Sequence, residues 1–317
     1  MSGTKVSKSP ELSDKAAATM ARALARHHWE KKVEEVQACG GGLTNFVFEV
    51  RTTAGTFIIR IGRDPGKIKD YLKEQWAIAE VKAAGVPVPE VLEVGAEVIR
   101  APYMISKKVE GIEGTLYPDI LATTEALGRL TALVHSVPTS GFGHTFDWSN
   151  NKLSRKETWA DYLKRELKLD ERLNTLGKHK MLSPGQGKRL KATLRDIEGW
   201  DDAPALNHGD MRLKNVIVDE KSGAIKAVLD WEFCCSNIAP YWDLSLALHD
   251  LSVDAKQAFI KGYGLDRKTI LDMAPVLKAL NIINYAPYVA EAAERADKDL
   301  LDQYRVRFSG ALDLYSV

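Results

Sequence analysis

The chain has 317 residues, 45% of them hydrophobic and 27% charged, enough apolar material for a folded protein of one two-lobed unit or two domains. A formal net charge of +1 and an isoelectric point near 7.7 leave no basic field of the kind that holds nucleic acid, so a small-molecule partner is the expectation. Cys39, Cys234 and Cys235 form neither a disulfide framework nor a zinc spacing, the first residues lack an apolar signal core, and no run of about 18 apolar residues is present to span a membrane. Together these features read as a cytoplasmic protein.

In chain order, Ser13 or Asp14 is placed to cap an alanine-rich helix reaching about Trp29. Short β-type segments follow at Val33 to Ala38, Phe46 to Arg51 and Thr56 to Ile61, separated by Gly40-Gly41-Gly42 and Thr53-Ala54-Gly55, and they predict an antiparallel meander. A helix from Gly66 to Ala84 is stopped by Gly85 and the prolines Pro87 and Pro89, and two further strands are predicted at Val91 to Val94 and Tyr103 to Ile105. Beyond Gly111 the periodicity becomes helical, at Asp119 to His135, Thr158 to Leu176, Pro184 to Ile197 and several segments after Pro240. One hairpin interrupts it, Val216 to Asp219 and Ile225 to Leu229.

That hairpin lies in the chemically informative stretch Leu206 to Asp230. Asn215 enters its first strand and Asp230 leaves its second, so closing the hairpin brings two oxygen-bearing side chains together. Such a pair suits Mg²⁺, which takes one or two protein oxygens alongside phosphate oxygens and water. Asp210 precedes them on a loop, and Arg212 is close enough in sequence to bring positive charge to a transferring phosphate. Gly41, Gly42, Thr44 and Asn45 lie between two strands, where free backbone N–H groups can cover phosphates. Glu74 shares a helical stripe with Tyr71, Ile78 and Val81, whereas Glu80 falls on the face of Lys73 and reads as solvated. A carboxylate on an apolar stripe needs a cation, and Arg60 at the end of the third strand is the obvious one.

These motifs resemble the aminoglycoside phosphotransferase family, related in fold to protein kinases and choline kinases. The HGDxxxxN pattern falls on His208, Gly209, Asp210 and Asn215, the following metal-binding Asp on Asp230 with Trp231 and Glu232, and a GGxxN loop on Gly41 to Asn45. The resemblance implies an α+β, two-lobed protein kinase-like fold: an antiparallel-sheet N-lobe (1–104), a hinge (105–111) and a mainly helical C-lobe (112–317). It further implies ATP or GTP with Mg²⁺ as cofactors and a small hydroxyl compound as acceptor. Asp210 would then be the catalytic base with Arg212 beside it, Asn215 and Asp230 the metal ligands, and His208 and Asp243 supports of the loop. Arg60 would contact phosphate and pair with Glu74, and Lys107 and Val109 would be hinge contacts to adenine.

The acceptor is left open. Glu291, Glu294, Asp297, Asp299 and Asp302 are candidate ligands for a polycationic antibiotic, but they alternate with Arg295, Lys298, Arg305 and Arg307 in the manner of a solvated helix face. Tyr285, Tyr288, Trp148 and Trp159 read as pocket walls or as core. A sugar, choline or amino alcohol kinase without antibiotic role is the alternative, and a nucleotide-binding pseudokinase a more distant one.

Overall fold

The computed structural model describes residues 12–40, 45–144, 146–147, 152–153, 158–249 and 251–311. Two compact units divide the chain, one comprising Met1–Ala79 with Val88–Glu110 and the other Glu80–Pro87 with Gly111–Val317.

The first unit opens with α1 (Asp14–Trp29), capped by Ser13, whose hydroxyl accepts the Ala16 N–H at 3.3 Å. Five strands follow, β1 (Val33–Cys39), β2 (Asn45–Thr52), β3 (Gly55–Gly62), β4 (Val91–Gly95) and β5 (Tyr103–Lys107), with α2 (Lys67–Ala83) between β3 and β4. They form one antiparallel sheet in the order β1-β2-β3-β5-β4, so the expected meander is present and β5 inserts between β3 and β4. Strand periodicity of two places Phe46, Phe48 and Val50 of β2 and Ile59 and Ile61 of β3 in one buried cluster with Ala17, Ala21 and Leu24 of α1. The β2–β3 turn is held by Thr52, whose hydroxyl donates to the Gly55 carbonyl at 2.9 Å and accepts the Ala54 N–H at 3.0 Å.

The second unit contains β6 (Ile112–Glu113), α3 (Ile120–His135), β7 (Phe146–Asp147), β8 (Lys152–Leu153), α4 (Trp159–Arg165), α5 (Leu169–Lys178), α6 (Pro184–Glu198), β9 (Ala205–Asn207), β10 (Val216–Val218), β11 (Ile225–Val228), β12 (Cys235–Asn237), α7 (Tyr241–Ala247), α8 (Val253–Tyr263), α9 (Arg267–Glu294) and α10 (Lys298–Ala311). Small sheets β11-β10-β6 and β12-β9 flank the stretch from His208 to Asn215. Helices α3 and α8 cross closely at Gly128, where an added Cβ would lie 2.1 Å from the Phe259 carbonyl oxygen.

The single helix expected over Thr158 to Leu176 is two. The Leu167 N–H folds back to the Tyr162 carbonyl at 2.9 Å and Lys168 takes a left-handed φ of 54°, which breaks the axis between α4 and α5 while keeping Leu167 buried. Helix α9 runs through Pro275 and Pro287. Pro287 has no N–H for the carbonyl four residues earlier, that of Ile283, and Arg172 of α5 donates to this oxygen instead, with Nη1 at 3.2 Å. Trp159 is core, its indole N–H bonded to the Ile197 carbonyl at 2.8 Å.

Candidate active site

In the second unit the chain leaves β9 at Asn207 and turns through His208, Gly209 and Asp210. Gly209 has φ +82°, and a Cβ there would sit 2.3 Å from the Phe233 carbonyl oxygen, so glycine is required on both conformational and steric grounds. The turn is clamped by Asp243 at the start of α7, whose two carboxylate oxygens accept the backbone N–H groups of His208 and Gly209, each at 2.7 Å. His135 of α3 brings Nε2 to 3.1 Å from the same carboxylate and Nδ1 to 2.9 Å from the Tyr263 hydroxyl. Burial acts to raise the Asp243 carboxyl, but the hydrogen bond and charge of His135, with the backbone N–H of His208, outweigh it and hold the group below its ordinary range. Asn207 ties the clamp to the sheet, donating to the Ala205 and Asn237 carbonyls at 3.1 and 3.2 Å and accepting the Asp243 N–H at 3.3 Å.

His208 is a support, as its sequence context implies. Its Nδ1 accepts the Asp210 N–H at 3.2 Å, which leaves the Nε2–H to donate to the Leu229 carbonyl at 2.9 Å, and its ring lies 4.4 Å from that of Trp231. Complete burial lowers its pKa below the ordinary imidazole value, as expected of a ring buried in neutral form.

Asp210 is 8% exposed and has three side chains around it. Asn215 donates from Nδ2 to the Asp210 carbonyl at 2.8 Å and to Oδ2 at 2.9 Å, Arg212 Nε lies 2.6 Å from Oδ1, and Lys214 Nζ lies 3.2 Å from Oδ2. The Arg212 contact is one of charge proximity rather than an aligned hydrogen bond. Lys214, half exposed, was not apparent as a site residue in the sequence, although its position four residues after Asp210 was the available signal.

The hairpin brings the second carboxylate alongside. Val216 pairs with Val228, and the Leu229 N–H donates to the Asn215 carbonyl at 2.7 Å, so Asp230 follows directly on a residue bonded to Asn215. Asp230 adopts φ 64°, ψ 58°, a left-handed conformation that a non-glycine residue holds at a cost, before a 3₁₀ turn fixed by Trp231, whose indole N–H donates to the Val228 carbonyl at 3.0 Å. A divalent cation fits this donor set. Both hydrogens of the Asn215 amide are directed at Asp210, which fixes its orientation and turns Oδ1 the other way, and the Asp230 carboxylate supplies a second hard oxygen. Among the described residues no group of three or more His, Cys, Asp or Glu side chains is arranged to hold a metal ion, so a cation here would draw its other ligands from phosphate and water.

The first unit holds a separate group of predicted residues. Arg60 Nη1 lies 2.6 Å from Glu74 Oε2 and Nη2 lies 3.3 Å from Oε1, a two-point contact with Glu74 fully buried, and the guanidinium sits 5.2 Å from the centre of the Tyr71 ring. The Tyr71 hydroxyl donates to Asn45 Oδ1 at 2.8 Å, so Asn45 opens β2 already anchored. Glu80 is exposed, as expected, but Lys73 is not its solvated companion: Lys73 is buried at 3% exposure. Gly41, Gly42, Thr44 and Trp148 lie outside the described residues. At the end of β5 the Lys107 N–H is taken by the Glu90 carbonyl at 2.8 Å and the Lys108 N–H by Thr56 at 3.0 Å. Lys107 therefore has its donor engaged within the sheet, and Val109 is half-buried.

The architecture is that of the α+β, protein kinase-like class. A solved aminoglycoside phosphotransferase, APH(4)-Ia in an apo, thermostable form, superposes with a TM-score of 0.69 at 16% identity over 92% of this chain and 98% of that one. The GDP complex of aminoglycoside 2'-phosphotransferase-IIIa gives 0.67 at 13% identity over 95% and 99%. The chain belongs to the phosphotransferase enzyme family (APH), whose sequence model matches residues 35–276. In sequence it is similar to acyl-CoA dehydrogenase family member 11 of Rattus norvegicus, 25% identical over 60% of this chain and 25% of that protein, so it spans a quarter of that relative's length. It is also similar to a probable ketoamine kinase of Staphylococcus aureus, 26% identical over 57% of this chain and 63% of that protein. The hygromycin-B 4-O-kinase of Escherichia coli is 25% identical over 51% and 47%. Among the described residues no helix is long and apolar enough to cross a membrane.

Proposed function

We propose that the protein is a small-molecule kinase that transfers the γ-phosphoryl group of ATP or GTP to a hydroxyl of its acceptor, with Asp210 as the base. The observation that carries this reading is the arrangement of Asp210 and Asn215 on one loop, with the amide fixed on the carboxylate and Asp230 next to the residue paired with Asn215. Asp210 orients the attacking hydroxyl and accepts its proton, and Arg212 brings positive charge to the transferring group. Asn215 and Asp230 would hold Mg²⁺, which supplies charge neutralisation to the phosphates when bound. Arg60, aimed by Glu74, contacts the nucleotide phosphates in the manner of a kinase strand cation. Support for a nucleotide comes from relatives solved with AMP-PNP and hygromycin B, with ADP and with GDP. A cytoplasmic setting fits the three free cysteines.

A metabolic alcohol is favoured over a polycationic antibiotic as acceptor. Glu291 and Asp302, two of the acids on the last helices, are paired with Arg295 and Arg305 of their own helices, which leaves less free negative charge for a polycation. The test is nucleoside-diphosphate release measured by a coupled assay across aminoglycosides, sugars, ketoamines and amino alcohols, with Asp210→Asn as control. Acceptor-dependent turnover that the variant loses by ~10²- to 10⁴-fold is the expected result. No turnover with any acceptor, together with nucleotide binding, would identify a pseudokinase.

A further inference from the structure

From Lys178 to Arg195 the chain carries six Lys or Arg residues and no Asp or Glu, within a protein whose formal net charge is only +1. The structure places this stretch beside a groove of about 510 Å³ in the second unit, lined by α5, α6 and the turn between them. Its apolar walls come from Leu173, Leu176, Leu182 and Leu190, of which Leu176 and Leu190 are 2% and 3% exposed. Lys188, Lys191 and Arg195, spaced three and four residues apart on α6 and all exposed, line it as a cationic stripe. None of these residues belongs to the site around Asp210.

Two glycines also line the groove, Gly177 in the last turn of α5 and Gly187 in the second turn of α6. Neither has a positive φ, and a Cβ added to either would meet no atom within 4 Å among the described residues. Glycine in a helix is less favourable than alanine, and neither the backbone conformation nor the packing of this chain accounts for the choice. Both positions are explained if another backbone approaches the groove closely.

We propose that the α5–α6 groove docks an acidic amphipathic helix of a partner protein, apolar face on the leucines and acidic flank on Lys188, Lys191 and Arg195. The concave form favours a helix over a membrane surface, because the leucines lie at the bottom and the cations beside them, whereas a bilayer is entered by protruding apolar side chains. The stripe from Gly187 to Arg195 spans about 12 Å of helix, two turns of a partner laid alongside.

The experiment uses the full chain and a fluorescein-labelled, helix-forming peptide of about five turns, with leucines on one face and glutamates on the other. Fluorescence anisotropy should show saturable binding that weakens with salt and falls at least tenfold in Lys188→Glu/Lys191→Glu/Arg195→Glu. Gly187→Leu should fold, melt no lower than the parent, and lose binding by a similar factor because the groove is filled. The same peptide with lysine in place of glutamate should not bind. The proposal is overturned by absence of binding to the parent, by equal binding of the lysine peptide, or by binding that Gly187→Leu leaves intact. Sedimentation with phosphatidylserine vesicles in place of peptide binding would assign the patch to a membrane and overturn it equally.

Discussion

Asn215 spends both hydrogens of its side-chain amide on Asp210, one on the backbone carbonyl at 2.8 Å and one on Oδ2 at 2.9 Å. One residue therefore fixes the rotamer of the proposed base and, by the same bonds, leaves its own oxygen directed away from Asp210. Asn215→Ala should lose both effects: transfer falls by two orders of magnitude or more, and the Mg²⁺ concentration giving half-maximal rate rises. Rate measured against Mg²⁺ at saturating nucleotide checks this. An unchanged metal dependence would remove Asn215 from the ligand set.

Arg60 and Glu74 allow stability to be separated from binding. Glu74 is fully buried, so Arg60→Ala leaves a carboxylate without its principal cation and should cost about 3–5 kcal/mol. The paired replacement Arg60→Met with Glu74→Leu should recover most of that loss. Under the proposed function it should still bind nucleotide poorly, which denaturant midpoints and nucleotide calorimetry on the same samples would reveal. Glu80→Gln, on the exposed face, should change neither.

The clamp predicts an acid limb of stability. His208 and Asp243 both have folded pKa values below their ordinary ones, so in each case the unfolded chain binds the proton more readily. Stability from His208 is present above the ordinary imidazole pKa near 6.5 and is lost as pH falls below it toward the lowered folded value; that from Asp243 is lost further down, below the ordinary carboxylate value near 3.8. His208→Gln should flatten the dependence of the melting temperature on pH just below neutrality, and Asp243→Asn should flatten it in stronger acid while lowering stability throughout. Melting curves from pH 7.5 down to about 2 read both effects.

Asp230 tests backbone strain against chemistry. At φ 64° alanine is disfavoured and glycine is not, so Asp230→Gly should be more stable than Asp230→Ala by about 1 kcal/mol. Both should lose Mg-dependent activity. Urea midpoints together with the coupled assay distinguish the two consequences.

Much of this was legible in the sequence because the signals were local. Short β-type runs bounded by glycine-containing turns gave β1, β2 and β3, Ser13 and Asp119 marked helix starts, and the stripe of Tyr71, Glu74, Ile78 and Val81 placed Glu74 toward the sheet that carries Arg60. The strand-end spacing of Asn215 and Asp230 followed from hairpin geometry. Long-range placement was not legible. The contacts of His135 with Asp243 and Tyr263 lie across helix packing 108 and 128 residues away in sequence, with no motif to announce them. The break between α4 and α5 falls at Lys168, where neither glycine nor proline marks a turn, and it is set by the need to bury Leu167. Lys73 was misplaced because the aliphatic stem of a lysine can be covered in a way that its charge does not suggest.

The bond from Arg172 to the Ile283 carbonyl makes the order of substitution matter. Pro287→Ala, made first, returns an N–H to that carbonyl from within α9 and releases Arg172 to vary. Arg172→Met, made first, leaves a buried acceptor without a donor, at about 1–3 kcal/mol. The two positions, on different helices, are thus joined in a one-way sequence of tolerated change: the proline can be lost while the arginine remains, but the arginine is dispensable only after the proline has gone.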